Sequence, residues 1–193
     1  MPSKTFFNLP EEKQKKLVLS AMDEFCNNKF IDVSINKIIN NAGIPRGSFY
    51  MYFVDKEDLF EYLLDSYTLK LKKVVSNVLI KKNGDLRESF IVLYDETFSR
   101  IKKIKYKYFF KNVFIFLDLN RDRFFVKGHN LYEKIKKYIN TDDIKSDDLE
   151  FIFITLMHNL IISIGDVLHT SEEKIEKEKY LRKLDMICYG FYK

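Results

Sequence analysis

Polar and apolar positions alternate with the period of a helix along almost the whole chain. Behind Pro10-Glu11-Glu12, apolar residues recur at Leu17, Ala21, Met22 and Phe25, the one-sided stripe that 3.6 residues per turn produces. A proline followed by two acids suits the first turn of that helix, and "NNK" at 27–29 closes it. Ser34 is placed to cap a second, short helix whose inward residues are Ile35, Ile38 and Ile39. Gly43 ends it, since a left-handed C-terminal residue costs glycine little. A third helix starts at Pro45. Asp55 caps a fourth, with Asp58 three residues on, ahead of Leu59, Phe60, Leu63 and Leu64. After a break at Gly84-Asp85, longer helices are expected over roughly 86–103, 106–119, 121–139, 147–168 and 172–191. The pattern predicts an all-α chain of about nine helices. A compact unit of short helices occupies residues 1–55, with a helix-turn-helix at 34–53. A larger helical body follows at 56–193.

Composition narrows this picture. The chain has 193 residues, enough for one large domain or two small ones, and its six glycines and three prolines are too few for an all-β fold. A net charge of +5 permits a nucleic-acid partner without requiring one. Cys26 and Cys188 sit in apolar helical patterns and read as buried hydrophobes. No Cys/His cluster has metal-ligand spacing, and no cofactor or metal is expected. The N-terminal "MPSKTFFNLPEEKQ" lacks the apolar core of a secretion signal. The longest apolar run, 151–165, is interrupted by Thr155, His158 and Asn159 and is shorter than the ~20 residues of a membrane span. A cytoplasmic protein without a membrane partner is expected. No carboxylate pair, nucleophile–histidine arrangement or phosphate loop emerges, so no enzymatic activity is expected.

The chemistry concentrates in "AGIPRGSFYMYFV" at 42–54, which contains no acid. On a helical wheel Phe49 and Phe53 fall on one side. Gly47, Tyr50 and Met51 fall opposite, flanked by Arg46 and Ser48. An ordinary solvent face would carry Lys and Glu. This one offers a guanidinium, hydroxyls, a thioether and bare backbone, a set that suits the floor of a DNA groove. Tyr52 is placed with Tyr50 on the outward side, because both rings cannot point inward beside Phe49 and Phe53. Residues 1–56 carry eight Lys/Arg and six Asp/Glu, so binding must rely on where charge sits: Lys37, Arg46 and Lys56.

Residues 11–60 resemble the DNA-binding domain of the tetracycline-repressor (TetR) family of bacterial regulators. The resemblance rests on Phe25, Phe30, Ser34, Ile35, Ile38, Ala42-Gly43-Ile44, Gly47-Ser48-Phe49-Tyr50, Tyr52-Phe53 and Lys56-Glu57-Asp58-Leu59. It implies an all-helical dimer with an N-terminal reading head and a variable C-terminal domain for ligand binding and dimerisation. It also implies phosphate contacts from Ser34 and Lys56. Two departures stand out: Lys29 replaces a glycine common after the first helix, and Ile39 replaces a common alanine.

In the C-terminal part, "RIKKIKYKYFFK" at 100–111 reads as amphipathic helix ends with Ile101, Ile104, Tyr108 and Phe109 inward, rather than as a second nucleic-acid patch. Phe98, Phe109, Phe110, Phe114, Phe124 and Phe125 are candidates to line a cavity for a small apolar effector, with His158 and Asn159 as polar groups to pair or to orient it. The last two apolar helices are candidates for a four-helix dimer interface through Ile152, Leu156, Leu160, Leu184, Ile187 and Phe191. Together these features predict a homodimeric, sequence-specific regulator of transcription, a repressor reading a near-palindromic double-stranded DNA site and released by the effector. The alternative is a protein–protein interaction module without specific DNA affinity.

Overall fold

In the computed structural model, residues 2–102, 107–119, 121–145, 148–168, 170 and 172–191 are described. Their α-helices are α1 (Lys4–Phe7), α2 (Glu11–Asn27), α3 (Ile35–Ala42), α4 (Arg46–Tyr52), α5 (Lys56–Lys81), α6 (Leu86–Lys102), α7 (Lys107–Leu119), α8 (Arg121–Ile135), α9 (Leu149–Val167) and α10 (Glu173–Phe191). Short 3-10 turns lie at Phe30–Asp32 and Lys136–Tyr138. The chain forms two compact units. The first comprises residues 1–67 and 105–113; the second comprises 68–104 and 114–193. The first unit thus reaches past residue 55, taking in the start of α5 and of α7, and both helices continue into the second unit.

In the first unit the local signals form as their chemistry dictates. The Ser34 hydroxyl caps α3 by accepting from the Lys37 N–H, and Gly43 closes that helix at φ +67°. At the head of α5 the Asp58 N–H donates to the Asp55 cap at 2.7 Å, while the Asp58 carboxylate reaches past the cap to accept from the Val54 N–H at 3.1 Å. The core gathers Leu17, Ala21, Phe25, Ile38, Phe49, Phe53, Leu59 and Phe60, all nearly or fully buried. Phe109 belongs to this core. Its ring stands edge-on to Phe60 at 5.6 Å.

Sequence reasoning missed α1. Phe6 is fully buried against Phe53, Tyr62 and Tyr52. Ser3 donates its N–H to the Tyr52 carbonyl at 2.9 Å and its hydroxyl to the Met51 carbonyl at 2.5 Å. The N-terminal arm thereby pairs carbonyls that the last turn of α4 leaves open. The spacing of Ser3, Phe6 and Pro10 carried the signal: a cap, an apolar anchor and a stop.

In the second unit, α9 packs on α6, α8 and α10. By length and composition α9 could cross a membrane, yet most of it is buried inside this unit, as in a core helix. Gly128 of α8 makes a close approach possible: a Cβ there would stand 3.2 Å from Ile154. Tyr180 of α10 stacks on Tyr94 at 4.4 Å and donates its hydroxyl to the Phe90 carbonyl at 2.8 Å. Gly84 is required where it stands. Its φ is +78°, and a Cβ would lie 2.3 Å from the Asn140 nitrogen.

The burial corrects the assignment of interface residues. Leu156 and Leu184 are fully buried within their own unit, and Ile152 and Leu160 nearly so. These residues are core and have no surface to offer a second chain. Ile187 is half-buried, and the Phe191 side chain lies outside the described residues. The apolar residues that α9 and α10 do expose are Phe151, Ile162, Met186 and Tyr189. Among the pocket candidates, Phe98 is half-buried. Phe125 is 52% exposed and His158 is exposed, which removes both from an enclosed lining. The side chains of Phe110, Phe114 and Phe124 lie outside the described residues, as do those of Ile101 and Ile104. Tyr108, expected inward, is exposed.

Burial pushes the Cys26 and Cys188 thiols up to about 12, so both stay protonated at neutral pH. Neither should react with an aromatic disulfide reagent at pH 8 until the protein is unfolded; two thiols titrating in the native state would contradict their burial. Leu156→Ala should lower stability by about 2–5 kcal/mol in urea titration, through the cavity it leaves. It should leave self-association unchanged; a shift in mass by light scattering without loss of stability would restore Leu156 to an interface.

Candidate nucleic-acid interface

The outward strip of α4 follows from what its inner side buries. Phe49 and Phe53 are 0% and 2% exposed, and anchoring them turns the opposite side to solvent. Arg46 and Gly47 are exposed, Tyr50 is 53% and Met51 58% exposed, and Ser48 is half-buried. Tyr52 departs from the expectation. It lies 60° around the helix from Phe49, and the N-terminal arm supplies the wall it packs on, so its ring is buried against Phe6 rather than displayed.

Gly47 is the most informative residue in the strip. Its backbone is helical and a Cβ there would meet nothing within 4 Å. The fold therefore has no need of glycine, although glycine costs a helix interior about 1 kcal/mol relative to alanine. What the missing side chain provides is access to the backbone from outside.

The corner that leads into α3 is built from side chains. α2 ends with Asn28 in an extended conformation, and Lys29 is extended too, with φ −63° and ψ 150°. No left-handed residue is needed, which is why lysine stands where a glycine is common. The backbone groups of the corner find partners on three other elements. Glu24, a buried residue of α2, accepts from the Ser34 N–H at 3.1 Å. Lys56 of α5 donates to the carbonyls of Phe30 and Ile31 at 3.0 and 3.1 Å, and its ammonium lies 5.3 Å from the Phe30 ring centre. Asn112 of α7 donates to the carbonyls of Phe25 and Asn28, both at 3.0 Å, and accepts from the Phe30 N–H at 2.8 Å. Asn112 is 1% exposed, so its three partners would be left without water if it were lost, at about 1–3 kcal/mol each.

These contacts change the reading of Lys56. The phosphate contact that the resemblance implied meets a side chain whose ammonium already holds two protein carbonyls. Ser34 keeps its capping place at the start of α3, and Lys37 is exposed one turn further on. The strip and the α3 start together display Lys37, Arg46, Tyr50 and Met51 around an accessible backbone at Gly47. Such a surface can donate to phosphate oxygens and guanine edges and can pack on a thymine methyl.

Residues 21–63 match the model of the bacterial regulatory proteins of the tetR family. Over 73 residues the chain is 33% identical to the uncharacterized HTH-type transcriptional regulator YdgC of Bacillus subtilis, covering 38% of this chain and 37% of that protein. Over 91 residues it is 22% identical to the HTH-type transcriptional repressor NemR of Escherichia coli, covering 47% and 46%. The matched region thus spans less than half the length of these curated relatives. A putative TetR-family transcriptional regulator from Syntrophomonas wolfei shares the fold along 93% of this chain and 96% of its own, with a TM-score of 0.64 at 22% identity. Residues 21–63 thus carry the N-terminal domain of the tetR family of bacterial regulatory proteins.

Proposed function

We propose that this protein is a DNA-binding regulator of transcription that acts as a homodimer. The observation that carries this reading is the acid-free outer strip of α4, with a glycine that the fold does not require. Arg46 donates to guanine edges or phosphates, Tyr50 and Ser48 to bases or phosphate oxygens, and Met51 packs on a thymine methyl. Lys37 and the start of α3 fix the head on the backbone. NemR, which matches 47% of this chain, is a repressor. Repression is accordingly the reading for this chain, by occupying a near-palindromic site.

The dimer is assigned to the face of α9 and α10 that bears Phe151, Ile162, Met186 and Tyr189, exposed by 62%, 43%, 76% and 87%. Two copies of that face would form a four-helix contact and present two reading heads to successive turns of a duplex. Release by a small apolar molecule is assigned to the second unit. There the Asn159 amide nitrogen is buried and lacks a partner among the described residues, a polar point at which a ligand can be oriented. The ligand acts only to the extent that it prefers the conformation that does not bind DNA.

Gly47→Ala separates folding from binding. It should raise thermal stability by about 0.4–1 kcal/mol, because alanine fits the helical backbone. It should also weaken binding to a duplex selected from random sequence; undiminished affinity in a mobility shift would show that nothing approaches α4 there. Arg46→Ala should cost about 1–3 kcal/mol of binding and relax base preference at one position of each half-site. Met186→Asp should convert a dimer to a monomer in light scattering with helicity intact. A mass that does not change would place the dimer contact elsewhere.

A further inference from the structure

We infer that Lys16 of α2, a residue outside the helix-turn-helix, holds a backbone phosphate of the duplex beside the outward strip of α4. This rests on the DNA-binding reading above and adds a cation that no sequence signal marked. The turn between α3 and α4 brings Lys16 to that place. Gly43 is left-handed there, at φ +67°, and a Cβ on it would stand 3.4 Å from the Lys16 ammonium nitrogen. The side chain thus reaches the turn from the helix behind it. Lys16, Gly43, Pro45, Arg46 and Gly47 are all exposed. Lys16 therefore extends the surface of the strip onto the turn that precedes it.

Two partners inside the protein could use up this ammonium, and neither does. The first is the end of α3, where carbonyls without helical partners attract a cation. The backbone closes that end by itself: the Gly43 N–H donates to the Asn40 carbonyl at 3.1 Å and the Ile44 N–H to the Ile39 carbonyl at 2.9 Å. The second is Glu12, one turn back on α2, at a spacing that suits an ion pair. The Lys16 ammonium makes no hydrogen bond or ion pair among the described residues. Lys56 is the contrast, since its ammonium is spent on the Phe30 and Ile31 carbonyls. Lys16 keeps three N–H donors for an acceptor from outside. Residues 33–54 contain no Asp or Glu, so neither the turn nor the strip offers an acid to compete for them. The anionic acceptor that a groove-reading helix meets along both of its flanks is the phosphate backbone.

Lys16→Gln keeps most of the side chain and removes its charge. In that variant the slope of log affinity against log salt should shrink by about one per head, and affinity at moderate salt should fall roughly tenfold. The loss should be equal for the selected duplex and for duplexes with one base pair changed, because a phosphate carries no sequence. Ethylation of one phosphate in each half-site should weaken the wild type and make no difference to the variant. Lys16→Arg should restore the slope. Helicity and thermal melting should stay as they are, since the side chain is exposed and holds no protein group. An unchanged slope in Lys16→Gln would overturn the inference, and so would a slope that falls only together with the melting temperature. Wild-type protein that binds no duplex would overturn the DNA-binding reading itself. A wild type that binds, beside a variant with the same slope, overturns this inference alone.

Discussion

The burial of Phe49 and Phe53 is the constraint on which the rest depends. α4 is only seven residues long and has no side-chain cap at its start, so it owes its position to tertiary packing rather than to its own hydrogen bonds. With those two rings anchored in the core, the helix has no rotational freedom, and Arg46, Gly47, Tyr50 and Met51 must face outward. The N-terminal arm completes the anchoring: Phe6 packs on the Phe53 ring, and the Ser3 N–H and hydroxyl donate to two carbonyls, those of Tyr52 and Met51. A surface strip free of acids is thus held in place by residues buried behind it.

A second constraint concerns polar groups rather than rings. The corner between α2 and α3 packs Phe30 and Val33 inward, and its backbone donors and acceptors need polar partners besides. Glu24, Lys56 and Asn112 supply their partners from three different helices. Lys56 also shows why a position in a motif does not fix a role. A lysine at the start of a helix opposes the helix dipole, and two carbonyls accept from its ammonium here.

Much of the first unit was legible from residues close in sequence. Ser34, Gly43, Asp55 and Asp58 signal helix ends by local hydrogen bonds, and all four form. The helix bodies followed from apolar spacing, because a 3.6-residue stripe depends on no distant partner. What stayed hidden depends on partners far along the chain. Asn112 meets the corner from 82 to 87 residues away, and nothing in its neighbourhood marks it as buried. The same limit misplaced Tyr52, whose wall is an arm that precedes the first apolar stripe. In α9, apolar residues lie all round the helix. Periodicity cannot then tell core from exposed face, and Leu156 was exchanged for the likes of Phe151 and Ile162.

The most direct test of the outward strip is chemical protection of guanine N7, an atom that lies in the major groove, on a duplex selected by the protein. The account predicts protected guanines in two clusters about one helical turn apart, one for each copy of α4. Protection confined to the sugar–phosphate backbone, with every guanine N7 still reactive, would contradict it.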